Sequence, residues 1–202
     1  EWKKMLDVLA ASGITKIRFT GGEPTSRGDF FEIAEHAFQM KTFHSISITT
    51  NGTFNEKNSE LFFQLPWNGV NLSIDSLNTE RFHSMTKRNE VHKVQQTLEQ
   101  LLQHKIKTSI NAVILEHHNE EDILERAQLT KDKDIRVRFI EEMPFNGSGL
   151  VEEKLFWDHV RILERIRSQF PDLKARPFLF GETAKTYEIP GFQGNVGIIA
   201  AF

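Results

Sequence analysis

The sequence has no cysteine among its 202 residues. That absence excludes a disulfide framework, a thiol nucleophile and a metal site built on thiolates. It suits a reducing compartment without requiring one. Tyrosine is nearly missing, one against 17 phenylalanines, so the aromatic content reads as core filling. A basic surplus is missing too: 25 Lys and Arg face 28 Asp and Glu, for a net charge of −3. A general nucleic-acid binder would carry that surplus, so no nucleic-acid partner is expected. No apolar run approaches the ~18 residues needed to span a bilayer. No signal-peptide pattern opens the sequence, and no repeat or low-complexity tract interrupts it. What is present is a chain with 39% hydrophobic and 26% charged residues. Its length fits one large domain or two small ones, able to bury about 70% of the surface an unfolded chain exposes.

The first residues are already periodic. Trp2, Met5, Leu6 and Leu9 fall at helical spacing, and Gly13 sits where a helix-ending glycine belongs. The last residues, Val196 to Phe202, read as a strand. Opening inside a helix and closing inside a strand is expected of a fragment of a longer protein.

Strands and helices alternate in between. Strands are expected at Ile14–Thr20, Ser45–Thr50, Val70–Asp75, Ser109–Leu115 and Ile135–Glu141. Helices are expected at Asp29–Met40, Asn58–Gln64, Thr79–Met85, Val91–His104, Glu120–Leu129 and Leu155–Phe170. Asp29 and Asn119 read as N-caps, and Glu120, Glu121 and Asp122 suit the positive end of a helix dipole. Phe156, Val160, Leu163 and Ile166 read as the buried stripe of the last helix. An irregular region follows, holding Phe178–Phe180 and the turn Ile189-Pro190-Gly191. Alternation of this kind predicts an α/β fold on a parallel sheet.

The strands have two unlike faces. Ile17 and Phe19 oppose Lys16, Arg18 and Thr20; Val70, Leu72 and Ile74 oppose Asn71, Ser73 and Asp75. Ser45–Thr50, Ser109–Leu115 and Ile135–Glu141 alternate likewise. Flat all-parallel sheets are covered by helices on both faces and read as continuous apolar runs. Polar faces in series instead predict a partial (β/α) barrel curved around a hydrophilic ligand.

The candidate motifs stand at the carboxyl ends of the strands, where parallel sheets hold ligands. Gly21-Gly22-Glu23-Pro24 ends the first strand. Two glycines let a ligand reach the backbone, and Glu23 can accept from an ammonium. The same four residues serve equally as a plain turn. Thr49-Thr50-Asn51-Gly52 ends the second strand, and Asn-Gly is a common turn as well. Ser73-Ile74-Asp75-Ser76 ends the third, and Phe139-Ile140-Glu141-Glu142-Met143-Pro144 the fifth. Lys16 and Arg18 require an anionic partner on their polar face. A phosphate-bearing ligand or an internal salt bridge to Asp75 or Glu141 satisfies that requirement. His117-His118 are adjacent and do not read as metal ligands.

Taken in order, Lys16-Ile17-Arg18-Phe19-Thr20-Gly21-Gly22-Glu23-Pro24, Ile48-Thr49-Thr50-Asn51-Gly52, Val70-Asn71-Leu72-Ser73-Ile74-Asp75-Ser76-Leu77, Ile110-Asn111-Ala112-Val113 and Val137-Arg138-Phe139-Ile140-Glu141-Glu142-Met143-Pro144-Phe145 form a series. It resembles the GTP 3′,8-cyclases of molybdenum cofactor biosynthesis, within the radical S-adenosylmethionine superfamily. The tail from Ile189 to Ile199 resembles the stretch leading to that family's second cluster site. The resemblance implies a truncated radical SAM partial barrel over residues 1–150, followed by a helix and strands over 151–202. It implies S-adenosylmethionine and [4Fe-4S] clusters as cofactors, GTP as substrate, and 3′,8-cyclo-7,8-dihydro-GTP made through a 5′-deoxyadenosyl radical. It assigns Gly21, Gly22, Glu23, Ser73, Asn111 and Met143 to S-adenosylmethionine, and Arg18 and Thr49 to GTP. It allows a homodimer and a cytoplasmic setting, or a mitochondrial one if a transit peptide precedes these residues.

The sequence also departs from that pattern. The cysteines of both clusters are missing, so this chain alone is expected to be inactive, with no metal ligands and no catalytic residue of its own. Ser109 stands where the family tends to place a GTP-binding lysine. A peptide-modifying radical enzyme and a cluster-free nucleotide-binding remnant remain as alternatives.

Overall fold

A computed structural model describes residues 1–142, 157–178 and 183–200. The period-two segments form strands β1 (Lys16–Phe19), β2 (Ser45–Thr50), β3 (Gly69–Ser73), β4 (Thr108–Ile114) and β5 (Ile135–Glu141). Three more strands follow: β6 (Lys174–Ala175), β7 (Lys185–Glu188) and β8 (Asn195–Ile199). The helices are α1 (Trp2–Ala11), α2 (Phe30–Gln39), α3 (Glu56–Gln64), α4 (Thr79–Thr86), α5 (Val91–Gln103), α6 (Asp122–Gln128) and α7 (His159–Gln169). The sheet has eight strands in the order β1-β2-β3-β4-β5-β8-β7-β6. Two compact units divide the chain: Glu1–Ser73 with His92–Thr108, and Ile74–Val91 with Ser109–Phe202.

In the first unit β1, β2 and β3 run parallel, with Phe19 opposite Ile48 and Thr50 opposite Leu72. Burial along β2 alternates residue by residue, as its sequence demands. The apolar face, Ile46, Ile48, Val70 and Leu72, is buried, as are Phe30, Ile33, Ala34 and Ala37 of α2. Trp67 anchors an aromatic cluster. Its ring stacks on Phe62 at 5.2 Å and meets Phe38 edge-on at 5.1 Å. Its indole N–H donates to the Phe62 carbonyl at 2.9 Å, so the one polar atom of a 5% exposed side chain is satisfied.

In the second unit β5 and β8 pair in parallel, Val137 opposite Val196, while β7 joins β8 and β6 joins β7 antiparallel. Ile123 and Ala127 of α6, and Ile162 and Ile166 of α7, are buried. Gly194 is the tight point. A Cβ there would lie 2.2 Å from the Ile135 carbonyl oxygen, so only glycine lets the chain enter β8 beside β5.

Several sequence expectations change. β6 and β7 occupy the region expected to be irregular. Ile166 of the expected α7 stripe is buried, but Val160 is 46% exposed and Ile162 is buried in its place. Leu155, Phe156, Leu179 and Phe180 lie outside the described residues. Asp29 is the N-cap residue of α2 but makes no capping bond; the Arg27 guanidinium takes its carboxylate, Nη2 donating at 2.9 Å. Asn119 does not cap α6, whose N-cap is Glu121. Among the described residues, no helix is long and apolar enough to cross a membrane.

Candidate functional site

The first unit gathers six of the residues singled out from sequence. In the register of β1 to β3, Arg18 lies opposite Ser47 and Thr49 opposite Asn71. Side chains two apart share a face, so Arg18, Thr49 and Ser73 occupy the polar face of this three-stranded layer. Arg18 is exposed, and its Nε donates to Ser47 Oγ at 3.2 Å. Among the described residues Arg18 has no carboxylate partner. Thr49 Oγ1 accepts a long bond from Asn71 Nδ2, 3.4 Å.

Past β1 the chain turns through Gly21 at φ +141, a conformation side chains rarely adopt. A Cβ at Gly21 or Gly22 would meet nothing within 4 Å. The backbone is bare at this point, as the approach of a ligand requires. Glu23 differs from its expectation. Its Oε1 accepts from Thr25 N (3.2 Å), Thr25 Oγ1 (2.7 Å) and Thr50 Oγ1 (2.8 Å), and its Oε2 from Asn51 N at 2.6 Å. The carboxylate therefore ties the loop after β1 to the end of β2. Those four bonds hold the glycines in place and leave little capacity for an incoming ammonium.

The second unit holds Asn111 on β4. Its backbone carbonyl accepts from Ile74 N at 2.9 Å, and its Oδ1 is buried without a hydrogen-bond partner among the described residues. A buried acceptor left open fits a ligand that brings a donor. Met143 lies outside the described residues. Ser109 is buried.

A buried charged network in this unit escaped the sequence reading. Asp122, 2% exposed, is not a solvated residue matching a helix dipole. Its carboxylate accepts from Ser76 Oγ and pairs with Arg81 Nη2. Arg126, 1% exposed, donates from Nη1 to the Ile74 carbonyl, and its Nη2 lies 3.9 Å from Asp122 Oδ2. Burial lowers the Arg126 guanidinium to about 10, against the pull of Asp122 and Asp75, so it stays charged near neutrality. Burial raises the Asp75 carboxyl, although the Val113 N–H and Arg126 favour its ionised form. The signal available in sequence was the i, i+4 spacing of Asp122 and Arg126 on the face that also carries Ile123 and Ala127.

Among the described residues no group of three or more His, Cys, Asp or Glu could hold a metal ion. The His117 and His118 amides donate to the Glu120 carboxylate at 2.9 and 3.0 Å, which makes that pair a loop feature. With no cysteine in the sequence, these residues do not fit an iron–sulfur cluster.

The Radical SAM superfamily model matches residues 1–130. "Molybdenum cofactor biosynthesis protein 1" of Dictyostelium discoideum is 34% identical over 98% of this chain and 32% of its own length. "GTP 3′,8-cyclase" of Chlorobaculum tepidum is 33% identical over 100% of this chain and 61% of its own. "GTP 3′,8-cyclase, mitochondrial" of Arabidopsis thaliana is 31% identical over 98% of this chain and 51% of its own. The chain thus spans between about a third and three-fifths of these relatives. Among solved structures, Streptococcus suis SuiB bound to S-adenosylmethionine superposes with a TM-score of 0.67 at 16% identity, over 99% of this chain and 43% of SuiB. Native anSMEcpe with bound AdoMet gives 0.58 at 18% identity, over 85% of this chain and 50% of that one. These neighbours share the α/β fold with its mostly parallel sheet, the partial-barrel class expected from the strand faces. With the family model running through the glycine turn, the ends of β2 and β3, and β4, the chain belongs to the radical SAM superfamily.

Proposed function

We propose that this chain is the S-adenosylmethionine- and GTP-binding part of a GTP 3′,8-cyclase of molybdenum cofactor biosynthesis. The observation that carries the reading is Arg18, an exposed guanidinium without a carboxylate partner among the described residues, on the same polar face as Thr49. A triphosphate needs such a cation, and the planar guanidinium can grip two of its oxygens. Thr49 offers a hydroxyl to the same ligand.

S-adenosylmethionine, when bound and reduced, supplies the radical chemistry. The residues of this chain bind and orient. Gly21 and Gly22 present bare peptide groups to its methionine end, and Glu23 fixes that turn rather than meeting the ammonium itself. Ser73 and the open Asn111 Oδ1 are hydrogen-bonding groups for the rest of the molecule, and Met143 completes the set. The clusters are ligated by residues outside these 202, and the chain alone is inactive. GTP is the partner, with a homodimer as the assembly and no nucleic acid bound. The compartment is the cytoplasm, or the mitochondrion as in the name of the Arabidopsis relative.

A peptide-modifying radical enzyme is the competing reading. SuiB bound to the precursor peptide SuiA is a structural neighbour, but at 17% identity that likeness speaks for the fold alone. A cluster-free nucleotide-binding remnant is the other. Equilibrium dialysis of the full-length protein separates them. Wild type should bind GTP, and Arg18→Ala should raise the GTP Kd by about tenfold or more, the worth of a charged hydrogen bond. The S-adenosylmethionine Kd should stay near wild type. Equal loss of both ligands would contradict the assignment.

A further inference from the structure

Asn111 is bonded to a segment between β3 and α4 that is fastened at several further polar groups. Ile74 N donates to the Asn111 carbonyl at 2.9 Å. The Ile74 carbonyl accepts from Arg126 Nη1. The Asp75 carbonyl accepts from Asn119 Nδ2 at 2.7 Å, and its carboxylate from Val113 N at 3.1 Å. Ser76 Oγ donates to Asp122 and accepts from Asn78 N at 3.1 Å. Three of these partners, Asn119, Asp122 and Arg126, lie on or just before α6.

Arg126 is the costly member. Among the described residues its Nε and Nη2 are buried without hydrogen-bond partners. Exchanging a whole buried ion pair for apolar residues often costs no stability, but removing one partner does: without Arg126 the buried Asp122 carboxylate keeps Arg81, and the Ile74 carbonyl loses its donor. What an apolar residue cannot do is donate to the carbonyl of Ile74, the residue whose own N–H is bonded to Asn111.

We propose that Arg126 is a positioning residue for the cofactor pocket, holding Ile74 so that Asn111 keeps its open Oδ1 where S-adenosylmethionine requires an acceptor. The inference rests on the cofactor assignment proposed above. Asp122 holds the same segment through Ser76 and balances the buried charge.

The test uses the full-length, cluster-bearing protein under anaerobic conditions, with S-adenosylmethionine and GTP binding and the unfolding midpoint measured in parallel. Arg126→Met is expected to raise the S-adenosylmethionine Kd about tenfold, leave the GTP Kd within about twofold, and lower the midpoint. Arg126→Lys, which keeps a donor, should recover most of the affinity. Should Arg126→Met fail to fold, Ser76→Ala decides, because it removes another fastening of the same segment with one hydroxyl. An unchanged S-adenosylmethionine Kd in the soluble variant, or both Kd values rising together, would overturn the proposal. A wild type that binds GTP but no S-adenosylmethionine would overturn the cofactor assignment instead, and the inference with it.

Discussion

Single side chains show where local spacing informs and where it misleads. Glycine after glycine at the end of β1 announced a bare backbone, and the structure has one. Glu23 followed the same motif, yet its partners Thr50 and Asn51 lie 27 and 28 residues away, a distance no local pattern reports. Asn119 matched an N-cap in sequence because Asx residues before helices usually serve that way. Its amide instead reaches two carbonyls, Asp75 and Val113, whose positions depend on the fold. Glu23→Gln should destabilise the protein by about 1–3 kcal/mol, since its amide must turn a donor toward at least one present donor; a chemical denaturation curve measures it. Asp75 gives a pH signature. Its carboxyl is raised by burial, so the folded chain holds that proton more tightly than the unfolded one. The ionised group therefore weighs against folding as pH rises from the ordinary value of 3.8 through the raised one. Asp75→Asn keeps an acceptor for the Val113 N–H and removes the charge. Its melting temperature relative to wild type should be higher at pH 7 than at pH 4.

At the scale of elements, the sequence was most legible where one face of a strand is apolar and the other polar. The bounds of β2 and β5 are those read from alternation, Ser45–Thr50 and Ile135–Glu141. β6 and β7 were not legible: β6 is two exposed residues, and β7 becomes a strand through antiparallel pairing with β8, a tertiary condition. Helix α7 begins at His159, later than its periodicity suggests, and its buried face, carrying Ile162 and Ile166 and leaving Val160 out, is chosen by what it packs against. The pairing of β5 with β8 hinges on Gly194. Gly194→Ala would push a methyl into the Ile135 and Lys133 carbonyls, 2.2 and 2.7 Å from the Cβ. Backbone on both sides prevents relief, so the loss should reach about 3 kcal/mol, visible as a lowered denaturant midpoint or an insoluble product.

For the whole molecule, composition alone settled one matter and left others open. A cysteine-free chain offers no thiolate to iron. Anaerobic reconstitution of these 202 residues with iron and sulfide should therefore leave no stoichiometric iron on the protein; elemental assay after desalting checks it. The division into two units was not legible, because it cuts the alternating pattern after Ser73, Val91 and Thr108, where the sequence shows no linker. The aromatic cluster gives that division an optical handle. Of three tryptophans, Trp67 sits buried among phenylalanines in the first unit, Trp157 is half-buried in the second, and Trp2 is exposed. Iodide should quench Trp2 readily and spare Trp67. With Trp157 replaced by Phe, the blue-shifted emission of the spared fluorophore then follows the melting of the β1–β3 layer alone, without any label.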